Sequence, residues 1–210
     1  AMKKGTTRME LVRGKTLPPT EGSATSERKQ QILQLAIEII ADEGYGSLSM
    51  RALARASGMK LGALQYHFKT SEEMLRTLVG YIAESYRRFF EPLMNKEAPL
   101  GIREIVTFIL NDEAGDTLYS DRLWPQLWAM QQVEPLVSDL VEEIYATYVS
   151  TLEDALKTAG SLAPRAEALF LMSLLEGATL FMGVGRRWEG DAKAFGDTVQ
   201  EFINNKYGEK

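Results

Sequence analysis

The sequence predicts an all-α protein of about nine helices, divided between a small N-terminal unit and a larger body. Three observations predict it. Apolar residues recur at helical spacing through most of the chain, no stretch alternates apolar and polar residues as a half-buried strand would, and Gly and Pro fall between the periodic segments. The expected divisions are an arm over residues 1–25, a three-helix unit over 26–70 and a helical body over 71–210.

The arm carries Lys3, Lys4, Arg8, Arg13 and Lys15 against Glu10 and Glu21, with Gly14, Pro18, Pro19 and Gly22 and almost no apolar periodicity. That composition predicts disorder in the isolated chain. A basic arm could lie along phosphates or enter a minor groove; a solvated tail is the alternative. Ser26 then opens a long helix with Ile32, Ala36, Ile39 and Ile40 on one face, ending at Gly44, and Tyr45 and Gly46 link it onward.

Two short helices follow around a tight turn. Met50, Leu53 and Ala54 form the apolar face of the first, with Ser47 or Ser49 available as its cap. Gly58 is expected to end it, because a residue without Cβ takes the left-handed conformation that closes a helix. Leu61, Leu64 and Phe68 mark the inner face of the second. Gln65, Tyr66 and His67 occupy its other face, Gly62 and Ala63 leave room for a close approach, and Lys60 and Lys69 flank it. A short helix with small, polar and aromatic groups outward and cations at both ends has the geometry of a helix-turn-helix reading element.

Thr70, Ser71, Glu72 and Glu73 supply a cap and an acidic first turn for a long helix through Met74, Leu75, Leu78, Ile82, Tyr86 and Phe89 to Pro92; Arg87 and Arg88 read as its solvated face. Ile102, Ile105, Val106, Ile109 and Leu110 define the next amphipathic helix. Leu123, Trp124, Leu127, Trp128 and Gln131 define another, in which Pro125 is tolerated only in the first turn. Pro135 starts a helix with Leu136, Leu140, Ile144, Tyr148 and Leu152 on one face, ended by Gly160. Pro164 starts one, to about Met182, that is apolar nearly all round and must be buried on more than one side. In so small a body the extra side is most simply a second subunit. Asp191 is placed to cap a last helix with Phe195, Val199, Phe202 and Ile203 on one face.

The segment from Ser49 to Glu73 resembles the DNA-binding domain of TetR-type transcriptional repressors. Ser49, Arg51, Leu53, Ala54, Gly58, Gly62, Leu64, His67, Phe68, Lys69, Glu72 and Glu73 fall on that family's pattern in one register. Two positions depart from it: Lys60 stands where the family often has a capping Ser, and Gln65 where a Tyr usually contacts the DNA backbone. The order of helices resembles the family over the whole chain. The resemblance implies a C-terminal ligand-binding and dimerisation domain with an inducer pocket among its central helices.

Composition narrows the chemistry. With no Cys and one His, the chain cannot form a disulfide, use a thiol nucleophile or build a multi-histidine metal site within itself. No orienting carboxylate or adjacent nucleophile accompanies His67, so an enzymatic role is not expected, and no cofactor or metal cluster stands out. No apolar run reaches the roughly 18 residues of a membrane span and the N-terminus is not signal-like, so a cytoplasmic protein is expected. Up to Leu75 there are 11 Lys and Arg against 8 Asp and Glu, and beyond it 13 against 21, a net +3 followed by −8. A mildly basic head on an acidic body suits a nucleic-acid reader better than the overall charge of −5 suggests.

The expected DNA-facing set is Ser49, Arg51, Lys60, Leu61, Gly62, Ala63, Gln65, Tyr66, His67 and Lys69. In it Arg51, Lys60, Tyr66, His67 and Lys69 are directed at phosphates, and Gln65 is suited to two-point pairing with adenine. Packing against the first helix is the alternative for Tyr66. The expected ligand pocket draws on Phe108, Trp124, Trp128, Gln131, Tyr145, Tyr148, Phe170, Glu176 and Phe181, with Met130, Met172 and Met182 nearby and Glu134 as a further polar group. Large, adaptable apolar groups suit flat or flexible ligands and a carboxylate favours a cation, although ordinary core packing would look the same. The expected dimer interface comprises Leu169, Leu174, Phe181, Phe195, Val199 and Phe202, in a four-helix bundle made by two helices from each subunit. The reading is a homodimeric repressor that leaves a palindromic double-stranded DNA operator when a small effector binds the body and tilts the Ser71–Phe89 helix. A DNA-binding protein without small-molecule input, controlled by a protein partner or acting architecturally, is the alternative, and a helical enzyme or lipid carrier a more distant one.

Overall fold

A computed structural model describes residues 24–94, 100–110 and 122–208. Among them are nine α-helices and no strand: α1 Ala24–Glu43, α2 Met50–Ala56, α3 Leu61–His67, α4 Ser71–Met94, α5 Ile102–Leu110, α6 Leu123–Met130, α7 Pro135–Thr158, α8 Pro164–Met182 and α9 Ala192–Tyr207. Short 3-10 turns occur at Tyr45–Ser47 and Glu189–Asp191. The basic residues of the N-terminal arm lie outside the described residues.

The first three helices and the start of α4 enclose one apolar cluster. Ile32, Leu33, Ala36, Ile37 and Ile40 of α1 meet Leu53, Leu64, Phe68, Leu75 and Leu78, all buried. The boundaries have local causes. The Ser49 hydroxyl accepts the Ala52 N–H at 3.1 Å and caps α2. At the other end Gly58 has φ +66°, its N–H reaches the Arg55 carbonyl, and the Met59 N–H reaches that of Ala54, which is the Schellman pairing. Thr70 caps α4 by accepting the Glu73 N–H at 3.0 Å, while the Glu73 carboxylate accepts the Lys69 N–H at 3.0 Å. Glu73 at the front of α4 thus completes a cap, while Glu72 pairs with Arg76 one turn on.

α4 carries the core from the head into the body. Its 24 residues span about 36 Å at the helical rise of about 1.5 Å per residue. Its buried stripe is Leu78, Ile82, Tyr86 and Phe90; Phe90 continues the spacing of four, and Phe89 is only half-buried. The helix runs two residues past Pro92. α7 and α8 form the central antiparallel pair of the body. On α7 the buried face starts at Val137, with Leu140, Val141, Ile144, Tyr148 and Leu152, and Leu136 is half-buried. α9 lies along α5, and α6 lies between α1 and α7. Pro125 is the third residue of α6, where its missing N–H breaks no helical bond. Asp191 precedes α9 but makes no side-chain cap bond, because the chain enters through a 3-10 turn.

No helix among the described residues is long and apolar enough to cross a membrane. Nor do those residues gather three or more His, Asp or Glu in a way that could hold a metal ion.

Candidate nucleic-acid interface

α2 and α3 present a continuous outward surface because their inner positions are fully used. Leu53, Ala54, Leu64 and Phe68 face the core, which leaves Arg51, Arg55, Gly62, Ala63, Gln65 and Tyr66 in solvent. Tyr66 is 80 % exposed, so packing against α1 is ruled out for it. Leu61 and His67 are half-buried at the two ends of α3, and Lys60, Lys69 and Ser49 are exposed. Lys60 occupies the N-cap position of α3 without capping it. All ten residues expected to face DNA therefore lie on or beside one short helical hairpin, with small residues at the front of α3 and cations at its rim.

His67 is held by its surroundings. Its ring meets that of Tyr66 nearly edge-on at 5.7 Å and lies 6.5 Å from Phe68, and its Nδ1 is buried with no hydrogen-bond partner. The ring can meet a ligand only through Nε2. α1 steadies the hairpin from behind. Arg28 donates to the Ser57 carbonyl at 2.7 Å and to Gln31, and the Lys29 ammonium stands 5.0 Å over the Phe68 ring.

The residues expected to form a pocket divide into two groups. Trp124, Trp128 and Tyr145 come together, with Trp124 5.5 Å from Tyr145 and 6.5 Å from Trp128, and Tyr86 closing one side at 5.5 Å from Trp124. The Trp128 indole N–H donates to the Tyr145 hydroxyl at 2.7 Å. That hydroxyl is raised well above its ordinary pKa by burial, then by the charge of Glu176 and a hydrogen bond to it; the bond from Trp128 opposes the shift. Phe108 packs on Phe89 at 4.7 Å and Tyr148 on Phe90 at 4.4 Å, extending the ring cluster. The other expected residues lie elsewhere. Gln131 and Glu134 border a shallow surface groove at the turn between α6 and α7. Phe170 and Phe181 are each 55 % exposed on the outer face of α8, against Phe202 and Trp188 respectively. The turn of α8 that directs Leu171 and Leu175 inward sends these two outward.

The residues expected at a subunit interface also separate. Leu169, Phe181 and Phe202 are exposed, and Leu180 and Val184 join them, so the outer side of α8 is an apolar face left largely open by the described residues. Leu174 and Phe195 are half-buried against the core. Val199 is 2 % exposed and packs inward with Ile203, one turn further along α9, so it has no surface left for a partner.

Sequence reasoning missed a clasp between head and body. Arg122, just before α6, pairs with Asp42 and, at 3.6 Å, with Glu38 of α1. Just past α6, Glu134 accepts the Tyr45 hydroxyl at 2.5 Å. Burial, the hydrogen bond and the Glu134 charge push that tyrosine up to about 12. These partners lie 80 and 89 positions apart. The local signal was the pair Glu38 and Asp42, which four-residue spacing sets on one side of a helix as a receptor for a cation.

The sequence profile described as "Bacterial regulatory proteins, tetR family" matches residues 32–78, which covers α1 to the first part of α4. The head of the chain carries the TetR-family sequence pattern. Among curated relatives, the HTH-type transcriptional repressor KstR2 of Mycolicibacterium smegmatis is 29 % identical over 79 residues, covering 36 % of this chain and 38 % of that protein. KstR2 of Rhodococcus jostii is 28 % identical over 142 residues, covering 65 % of this chain and 64 % of that protein. The match thus spans less than two thirds of either relative. Among solved structures, a transcriptional regulator from Saccharomonospora viridis in complex with choline superposes with a TM-score of 0.70 at 21 % identity, over 88 % of this chain and all of the other. At that identity the likeness is one of fold. Members of the TetR family are regulators of transcription, not enzymes.

Proposed function

We propose that the chain is a homodimeric, sequence-specific DNA-binding repressor released from its operator by a small molecule. Residues 26–70 are its reading head, and 71–210 its effector-binding and dimerisation body. The observation that carries the reading is the outward surface of α3, where Gly62, Ala63, Gln65 and Tyr66 are exposed between Lys60 and Lys69 on a buried, capped scaffold. Small residues let the backbone approach a groove wall, Gln65 can address a base edge, and Arg51, Lys60, Tyr66, His67 and Lys69 can address phosphates. Support for repression comes from relatives described as repressors.

The exposed apolar face of α8 supports a dimer, since apolar surface of that kind on a soluble chain marks an interaction site. Two heads related by a two-fold axis would read half-sites about 34–36 Å apart, so the operator would be palindromic. The effector would enter the body among α6, α7 and α8, where the ring cluster lies; that a neighbour of the same fold, from Saccharomonospora viridis, was solved in complex with choline supports a small-molecule effector. Two routes lead from there to the head: α4, which runs through both parts, and the clasp at the two ends of α6. The effector must bind the released state better than the operator-bound one.

The test is fluorescence anisotropy with labelled DNA from upstream of the gene beside a scrambled duplex, at fixed salt. A preference of about a thousandfold for the native fragment is the expected result. Equal binding to both duplexes would remove the sequence-specific reading, and absence of binding at low salt would remove the DNA-binding reading altogether.

A further inference from the structure

We propose that Arg28 and Lys29, adjacent residues near the start of α1, are positioning residues for operator recognition: they fix the pose of α3 from its two ends without contacting DNA. This rests on the DNA-reading head proposed above and adds to it two residues that the matched family pattern, which begins at residue 32, does not contain.

The need for a brace follows from the size of α3. It has seven residues, of which Leu64 alone is fully buried, and Lys60 gives its N-terminus no side-chain cap. A helix of that length does not hold its shape by itself, so its pose depends on the segments that enter and leave it. α1 grips both. Ahead of α3, the Arg28 guanidinium donates to the Ser57 carbonyl at 2.7 Å, and a second bond, to Gln31 at 3.0 Å, holds it in that direction. The Schellman pairing at Gly58 takes up the Ala54 and Arg55 carbonyls but not that of Ser57, whose partner among the described residues is Arg28. Ser57 is 9 % exposed, and a charge-assisted bond to so sheltered an oxygen is of the stronger kind. Behind α3, the Lys29 ammonium stands 5.0 Å over the ring of Phe68, the buried residue at which the helix ends.

The cations of the head thereby fall into two sets. Arg51, Lys60 and Lys69 are exposed, and their side chains make no hydrogen bond or ion pair among the described residues, so their donors are free for phosphates. Arg28 and Lys29 are half-buried, and their charged ends are directed at a backbone oxygen and an aromatic face on the inner side of the hairpin. Gln65 and Tyr66, on the outer side, take their direction from where α3 is held. A shift of about 1 Å carries a hydrogen bond of ordinary length out of range, so a two-point contact from Gln65 to a base edge depends on the brace. Phosphate contacts from long, mobile side chains adapt to the same shift. Loss of the brace therefore costs operator preference more than general affinity for DNA.

The test uses the full chain with Arg28→Met and, as a milder variant, Lys29→Met, beside Lys69→Ala as the contrast. Anisotropy is recorded over a salt series with the native fragment and the scrambled duplex. Arg28→Met is expected to weaken binding of the native fragment about tenfold and of the scrambled duplex by no more than about twofold, with the salt slope unchanged, whereas Lys69→Ala shrinks the slope. Lys29→Met should act in the same sense and less strongly. In the DNA-free variants the Leu64 and Phe68 amides, which bond to the Lys60 and Leu64 carbonyls, should exchange hydrogen faster while those of α7 do not change. A role confined to global stability would instead lower the urea midpoint, speed exchange throughout and leave the affinity of the folded chain intact, and that result overturns the proposal. So does a slope that falls by about 0.9 in Arg28→Met, which would make Arg28 a phosphate contact. If the native chain shows no preference for the native fragment, the DNA-reading head fails and takes the operator role of these residues with it. If the native chain has the preference and both variants keep it, the positioning role fails alone.

Discussion

At the scale of single residues, exposure separates recognition from stability. Tyr66 and Lys69 are exposed and stand outside the buried core, so replacing either by Ala should move stability by no more than about 0.5 kcal/mol. Operator affinity should fall in both. For Lys69→Ala the slope of log affinity against log salt should shrink by about 0.9 for each phosphate that the duplex no longer has neutralised, which a salt series by anisotropy reads directly. Gly58 makes the opposite case. Its φ of +66° closes α2, and an added Cβ would meet nothing within 4 Å, so the penalty for Gly58→Ala is purely one of backbone conformation. A loss of about 1–2 kcal/mol is expected in urea unfolding, with the variant still folded and its DNA-facing residues unchanged. This is also where the sequence was most legible: Ser49, Gly58, Thr70 and Glu73 act through neighbours three to five positions away, and local spacing records such bonds.

Between elements that legibility ends. The alternation of inner and outer residues on α8 cannot be deduced from a helix that is apolar nearly all round, so Phe170 and Phe181 looked as suitable for an internal pocket as Trp124 and Trp128. Val199 shows the same limit on α9, where a helical stripe says which residues share a face and not what covers it. The clasp around α6 was invisible for another reason, since Tyr45 and Glu134 meet only through the packing of α1 on α6. Its chemistry is checkable. The Tyr45 pKa is raised from the usual 10 to about 12, so the folded state holds this proton more tightly than the unfolded one. The associated stability is present in full below pH 10 and is lost as pH rises through about 12. Ultraviolet titration of the tyrosines should show late components, since Tyr145 and Tyr207 are raised as well; the one near 12 should be absent in Tyr45→Phe and moved towards 10 in Glu134→Gln, where burial alone remains. If the clasp also carries signal, Tyr45→Phe should keep operator affinity but reduce the effector's influence on it. Equal coupling in the variant would leave α4 as the route.

For the whole molecule, the apolar face of α8 is the feature that the rest of the fold leaves to be covered. Phe170 and Phe181 at 55 % exposure, Leu180 at 53 % and Leu169 at 49 % lie on one helix, and Phe202 of α9 stands against Phe170. Left in water, such a cluster would favour self-association. A two-fold pairing of this face with its copy would cover it and close the assembly, because an isologous contact leaves no free complementary surface. A charge there separates folding from assembly. Phe170→Asp removes a ring that is already more than half in solvent, so helicity and the unfolding midpoint of the chain should change little. Sedimentation or light scattering should nevertheless report a monomer. DNA binding then falls for a reason unrelated to any base or phosphate contact. In a dimer the second head meets its half-site at the effective concentration set by the first, whereas two monomers bind independently, and the advantage forfeited is of the order of 10²–10⁴-fold. The variant should therefore bind a palindrome and an isolated half-site with similar, weak affinity. If Phe170→Asp remains dimeric, the two-fold axis lies away from this face; if it becomes monomeric yet keeps full affinity for the palindrome, a single head suffices and the paired reading of the operator is wrong.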